Sequence, residues 1–147
     1  MWKQLLDRLQ AMLQEDESLK DITFTKILED RNRSILREPL AAIGISSADL
    51  KRPLVALGDT EGSDGITGIR NDFVVSIMLY VPKRMGACAC SELFAKISSV
   101  LMRNNDVIRA KGIHCGEVSY QSAAQALCAE MKVETSAYWK WNGGGAA

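Results

Sequence analysis

Residues 73–81 read FVVSIMLYV, a block rich in β-branched and aromatic residues that stops at Pro82. Alternation puts Phe73, Val75, Ile77, Leu79 and Val81 on one side of a strand, an ordinary core stripe. The other side carries Val74, Met78 and Tyr80, so this strand is apolar on both faces. A chain of 147 residues builds one domain and has little material to cover a second apolar face. The cover expected from the sequence is another copy of the same protein.

Working outward, the turn at 82–86 leads into Cys90, Leu93, Phe94, Ile97, Val100 and Leu101, whose spacing predicts an amphipathic helix ending near 103–106. An earlier helix is predicted over residues 2–15, where Trp2, Leu5, Leu6, Leu9, Met12 and Leu13 recur at three- and four-residue steps. Residues 21–28 (DITFTKIL) read as a strand, 29–39 as an irregular connection ending at Pro39, and 40–46 as a short strand. Residues 48–71 contain Gly58, Gly62, Gly65 and Gly68, a density that predicts a long loop or a two-stranded arm. A strand over 113–120 and a second from Leu127 to Glu134 close the chain, joined by the short link QSAAQ. In the last strand Leu127, Ala129, Met131 and Val133 oppose Cys128, Glu130, Lys132 and Glu134, so one of its faces is wet.

Short links favour antiparallel neighbours. The expected fold is α+β: a mainly antiparallel sheet of four to five strands packed by two amphipathic helices, with the glycine-rich segment as a loop or arm. Residues 1–137 form the single domain and 138–147 a C-terminal tail in this reading. The terminal GGGAA is expected to be disordered unless bound, or to be a non-native addition.

Eighteen basic residues balance eighteen acidic ones, which leaves no global electrostatic footprint for nucleic acid or an anionic membrane. No apolar run approaches the ~20 residues of a membrane span, and the charged N-terminus is unlike a signal peptide, so a cytosolic site of synthesis is expected. Cys88, Cys90, Cys115 and Cys128 lack the spacing of a secreted disulfide framework and read as reduced, mostly buried thiols.

His114 beside Cys115, with Cys88 and Cys90, is the first chemistry to test. Structural zinc sites use ligand pairs two to four residues apart, whereas adjacent residues on a strand point to opposite faces, so no metal is expected. A cysteine nucleophile at Cys115 would need a base and an electropositive setting that the sequence does not supply. The loop GDTEGSDGITG lacks the lysine and hydroxyl of a phosphate-binding loop. As a calcium loop beginning at Asp59 it would have Asp64 where glycine belongs and Arg70 where glutamate belongs. Its functional reading is a segment that orders against a partner, through Asp59, Glu61, Asp64, Ile66 and Arg70. Tyr138, Trp139 and Trp141 either cap the core or serve an interface, where such side chains bury much area with few torsions to freeze.

The order of these segments resembles the tail terminator, or tail completion, proteins of tailed bacteriophages, in the version found in prophages of Gram-positive bacteria. The likeness lies in WKQLLDRLQAML, in PLAAIGIS followed by the glycine-rich excursion, in FVVSIMLYVPKRMG running into CSELFAKISSVLM, and in IHCGEVSYQSAAQALCAEMKVET as a closing hairpin. The resemblance implies a non-enzymatic virion protein without cofactor, assembled in the bacterial cytoplasm. Its subunits would close a homohexameric ring that caps the tail tube, ends its growth and joins it to the head-tail connector protein. DNA would pass through the lumen without sequence-specific recognition, and no membrane would be involved. Val74, Met78, Tyr80, Trp139 and Trp141 are then the expected subunit interface, the N-terminal helix being the other candidate cover for the first three. Other head-tail connector or stopper subunits share this coarse order, and a small cytosolic enzyme using Cys115 and His114 is the reading from another class.

Overall fold

The computed structural model describes residues 2–26, 35–51, 67–104 and 108–141, with side chains over 3–26, 35–48, 71–104 and 108–136. The chain runs α1 (Trp2–Glu15), β1 (Thr23–Lys26), β2 (Leu40–Lys51), β3 (Thr67–Pro82), α2 (Ala87–Arg103), β4 (Ala110–Cys115), β5 (Ser119–Gln121) and β6 (Ala126–Trp141), with single 3₁₀ turns at Glu17–Leu19 and Lys83–Met85. It is an α+β fold, among the described residues a six-stranded mixed sheet packed against two helices.

The helix of leucines at the N-terminus buries Leu9 and Leu13 completely, with Leu5, Leu6 and Met12 packed at the margin of the core. It ends where Asp16 turns the chain: the Asp16 carboxylate accepts the Ser18 backbone N–H at 3.0 Å, and Leu19 plugs the turn into the core. In α2 the residues at helical spacing (Cys90, Leu93, Ile97, Val100 and Leu101) are the buried ones, which fixes one face on the sheet. Asn104 finishes α2, its side-chain amide donating to the Val100 carbonyl at 2.8 Å and satisfying an acceptor that the helix leaves unpaired. At its start, Gly86 takes φ +81° and ψ 166°, a backbone conformation essentially restricted to glycine.

The sheet order is β1-β2-β3-β6-β4, with β5 continuing the β4 edge alongside β6. All pairs are antiparallel except β1 with β2, which is parallel. Residues 27–39 separate those two strands, and a connection of that length permits a parallel crossover that a tight hairpin forbids. Strand β3 is central, and its odd-numbered residues, Phe73, Val75, Ile77, Leu79 and Val81, are all essentially buried under both helices in one cluster with Met131 and Val133.

Several expected boundaries move. The strand expected over 40–46 continues to Lys51, and β3 begins at Thr67, so both ends of the segment read as a 48–71 loop or two-stranded arm are paired strand, Lys51 opposite Arg70, as in the arm alternative. The strand expected over 113–120 is broken at 116–118 into β4 and β5. The final strand does not stop near Glu134: β6 continues to Trp141, four residues into the segment read as a C-terminal tail. Six strands stand where four to five were expected. In β2, β3 and β6 long-range pairing extends the strand past the point where its own alternation fades.

Candidate assembly interface

Both described helices pack in one core on one face, which leaves the other face of the sheet as the candidate surface. Register places Tyr80 beside Leu40 and Cys128, Met78 beside Ala42 and Glu130, Ser76 beside Gly44 and Lys132, and Val74 beside Ser47 and Glu134. The N-terminal helix does not cover this face, because Leu9 and Leu13 pack in the opposite core with the odd-numbered β3 residues. That alternative is corrected by the parity of the strand.

The cover at one end comes from the chain itself. Tyr80, Ala42 and Cys128 are buried, with Leu36, Leu40 and Met78 packed against them. Leu36 is held there because its backbone N–H donates to the Ala124 carbonyl at 3.0 Å. Tyr80 is therefore already sheltered within one subunit, while Val74 and Met78 are only half-buried. Between and beyond them the face turns polar. The Ser76 hydroxyl donates to the Glu130 carboxylate at 2.7 Å, Lys132 stands 3.9 Å from the other Glu130 oxygen, and Lys111 pairs with Asp72 at 3.6 Å. A depression of about 300 Å³ lies here, with Ser47, Val74, Asp72, Lys111 and Glu134 in its wall. A bulge between Ile45 and Ser47 swaps the facing of β2, which brings Ser47 into that wall.

Past Phe73, the β3 residue nearest this end of the hydrophobic core, strands β2, β3 and β6 continue together. Arg70 pairs with Lys51 on one side and Tyr138 on the other; Trp139 sits opposite Ile69, and Trp141 opposite Thr67. The structure thus brings Arg70, Trp139 and Trp141 into one three-stranded extension, apart from Val74, Met78 and Tyr80. Asp59, Glu61, Asp64 and Ile66 lie outside the described residues.

His114 and Cys115 are consecutive on β4, opposite Lys132 and Met131. His114 is exposed on the helix-free side, and Cys115 is on the side of the buried Met131, where burial raises its thiol above the ordinary value. The two do not converge. The Cys90 thiol, buried under α2, is pushed up to about 11, first by desolvation and then by the neighbouring Cys128 and Cys115. Among the described residues no group of three His, Cys, Asp or Glu side chains could hold a metal ion, and no helix is long and apolar enough to cross a membrane.

One cluster escaped the sequence reading. At the end of the sheet opposite the extension, Arg84 donates to the Arg37 carbonyl at 2.8 Å, and the Lys83 ammonium stands 5.1 Å from the centre of the exposed Tyr120 ring. The only signal for it was the basic pair in the turn PKRMG; Arg37 and Tyr120 join through tertiary structure alone. No known family model matches the chain, and no curated protein is significantly similar to it.

Proposed function

We propose that this protein is a non-enzymatic assembly subunit, a tail terminator that closes as a homohexameric ring on the end of a phage tail tube and meets the head-tail connector. The observation that carries the reading is the extension of β2, β3 and β6 beyond the core, on strands of 12, 16 and 16 residues, far longer than the five or six that a small sheet needs. A projecting three-stranded arm gives a small subunit reach toward a neighbour. The half-buried Val74 and Met78, on a face that the chain covers at one end only, support the same reading. So does the placing of the consecutive His114 and Cys115 on opposite sides of β4, which gives the two no shared site. A connector or stopper subunit uses the same features, and the choice between them rests on the partner.

The test is solution mass by light scattering across a concentration series, followed by addition of tail tubes. Discrete rings of six, or rings formed only on tube ends that then stop lengthening, are the expected result. A monomer that neither binds tubes nor alters their length overturns the reading. Binding to the head connector without any effect on tube length favours the stopper.

A further inference from the structure

The sheet has two edges, and the chain closes one of them with its own side chains. Thr23 donates its N–H to the Pro39 carbonyl at 3.0 Å, so in the parallel pair with β2 it is Thr23 and Thr25 that turn their backbone groups inward, and Phe24 and Lys26 that turn theirs outward. Helix α1 occupies that outer side. The Gln10 side-chain amide donates to the Phe24 carbonyl at 3.1 Å, and the Asp7 carboxylate accepts from the Lys26 ammonium. The β1 edge is thereby covered against a further strand.

At the other edge, Gly116 donates its N–H to the Glu130 carbonyl at 2.9 Å, and the same register runs back along β4. His114 and Gly112 therefore exchange hydrogen bonds with Lys132 and Glu134 of β6, whereas Ile113 and Cys115 present N–H and C=O away from it. Among the described residues no strand pairs with that side. Lys111, His114, Glu117 and Val118 are exposed along it, and Ile113 and Cys115 are half-buried. Such a row of outward backbone groups is a template for strand addition.

The sequence of this edge is complementary to itself. Run antiparallel about His114, two copies set Ile113 opposite Cys115, Gly112 opposite Gly116, Lys111 opposite Glu117 and Ala110 opposite Val118. The outward backbone groups of Ile113 and Cys115 then meet as hydrogen-bonded pairs, and opposite charges face each other at both ends. Ile113, already packed on the core, gains the Cys115 of the second copy as cover. Lys111 stands 3.6 Å from Asp72 of its own subunit, and an ammonium with three donors serves both carboxylates. We infer that β4 is a docking edge whose occupant is β4 of a second copy of this chain, antiparallel and centred on His114. Because α1 covers the β1 edge, a copy has no second edge to offer, so the contact is isologous and ends at two copies. It stands apart from the heterologous contacts of a ring and does not rest on the assembly reading.

In this register the two His114 residues form a non-hydrogen-bonded pair with Cα atoms about 4.5 Å apart, within reach of a disulfide. The experiment places cysteine there in the full chain, with Cys88→Ser removing the exposed thiol. His114→Cys is expected to give a cross-linked dimer under mild oxidation, and Lys111→Cys, which lies opposite Glu117 rather than itself, to give none. Light scattering across a concentration series reads the pair without oxidation, the wild type passing from monomer to dimer. Lys111→Glu and Glu117→Lys, each checked for folding by circular dichroism, are each expected to weaken it about tenfold. Their mixture is expected to restore it, because opposite charges then face each other again at both ends. A wild type that stays monomeric, no cross-linking at 114, equal cross-linking at 111 and 114, or a mixture no stronger than either variant overturns the inference. Tail-tube capping alongside any of those results leaves the assembly reading standing without this contact. A pair that meets every expectation but does not cap tubes does the reverse.

Discussion

The Ser76 hydroxyl reaches across to the Glu130 carboxylate at 2.7 Å, linking β3 to β6 in the middle of the helix-free face. Ser76 is buried while Glu130 is half-exposed, so the bond lies at the boundary between the apolar end of that face and its charged end. Removing the hydroxyl leaves Glu130 able to turn to water, which limits the loss. Ser76→Ala is expected to cost about 1 kcal/mol in urea unfolding, and a double-mutant cycle with Glu130→Gln is expected to show coupling between the two.

The two faces of β3 should respond in opposite ways to substitution. Ile77 is fully buried beneath the helices, so Ile77→Val is expected to lower stability by about 0.5–1.5 kcal/mol and Ile77→Ala by about 2–5 kcal/mol, with no specific effect on assembly of whatever remains folded. Val74 and Met78 are half-buried in the single subunit. Val74→Ser is expected to change chemical unfolding by less than about 1 kcal/mol while weakening association. An unchanged solution mass for Val74→Ser would remove this strand from the interface.

Gly86 offers a test of backbone strain without side-chain crowding. A Cβ built there meets nothing within 4 Å, yet φ is +81°. Gly86→Ala is therefore expected to destabilise by about 1–3 kcal/mol through conformation alone. Thermal unfolding of the variant reads it directly.

Acid sensitivity should trace to Asp16. Its carboxylate accepts from the Ser18 side chain and backbone and faces Arg103 at 3.3 Å, and these contacts, the Ser18 bonds foremost, hold it below the ordinary 3.8. A depressed carboxylate contributes stability above its unfolded value and loses it as pH falls through the folded one. Asp16→Asn is thus expected to be less stable than the wild type at neutral pH, with the gap closing below about pH 3.8, as followed by unfolding at a series of pH values.

The thiols should separate by reactivity. Cys88 is exposed in the first turn of α2, whereas Cys90 is buried and pushed up to about 11. A disulfide reagent at pH 8 is expected to show one fast phase that disappears in Cys88→Ser, and Cys90 is expected to react only on unfolding. Because the folded Cys90 value is raised from 9.0, its contribution to stability is complete below pH 9.0 and is lost as pH climbs toward 11.

What the sequence determined by itself was local: two amphipathic helices, the core stripe of β3 from Phe73 to Val81, and the wet face of β6 at Lys132 and Glu134. Each is written in a period of 3.6 or 2 that needs no partner to be read. Tertiary structure decided the rest. The parallel pairing of β1 with β2, the addition of β6 to the arm that the glycine-rich segment allowed as two-stranded, and the shelter of Tyr80 by Leu36 all depend on backbone partners distant in sequence. The cationic end is the clearest case: Arg37, Lys83, Arg84 and Tyr120 come from three separate segments, and a net charge of zero conceals them until the fold gathers them. Periodicity records which face of an element is buried, whereas the joining of faces and ends is settled by long-range pairing that no local window contains.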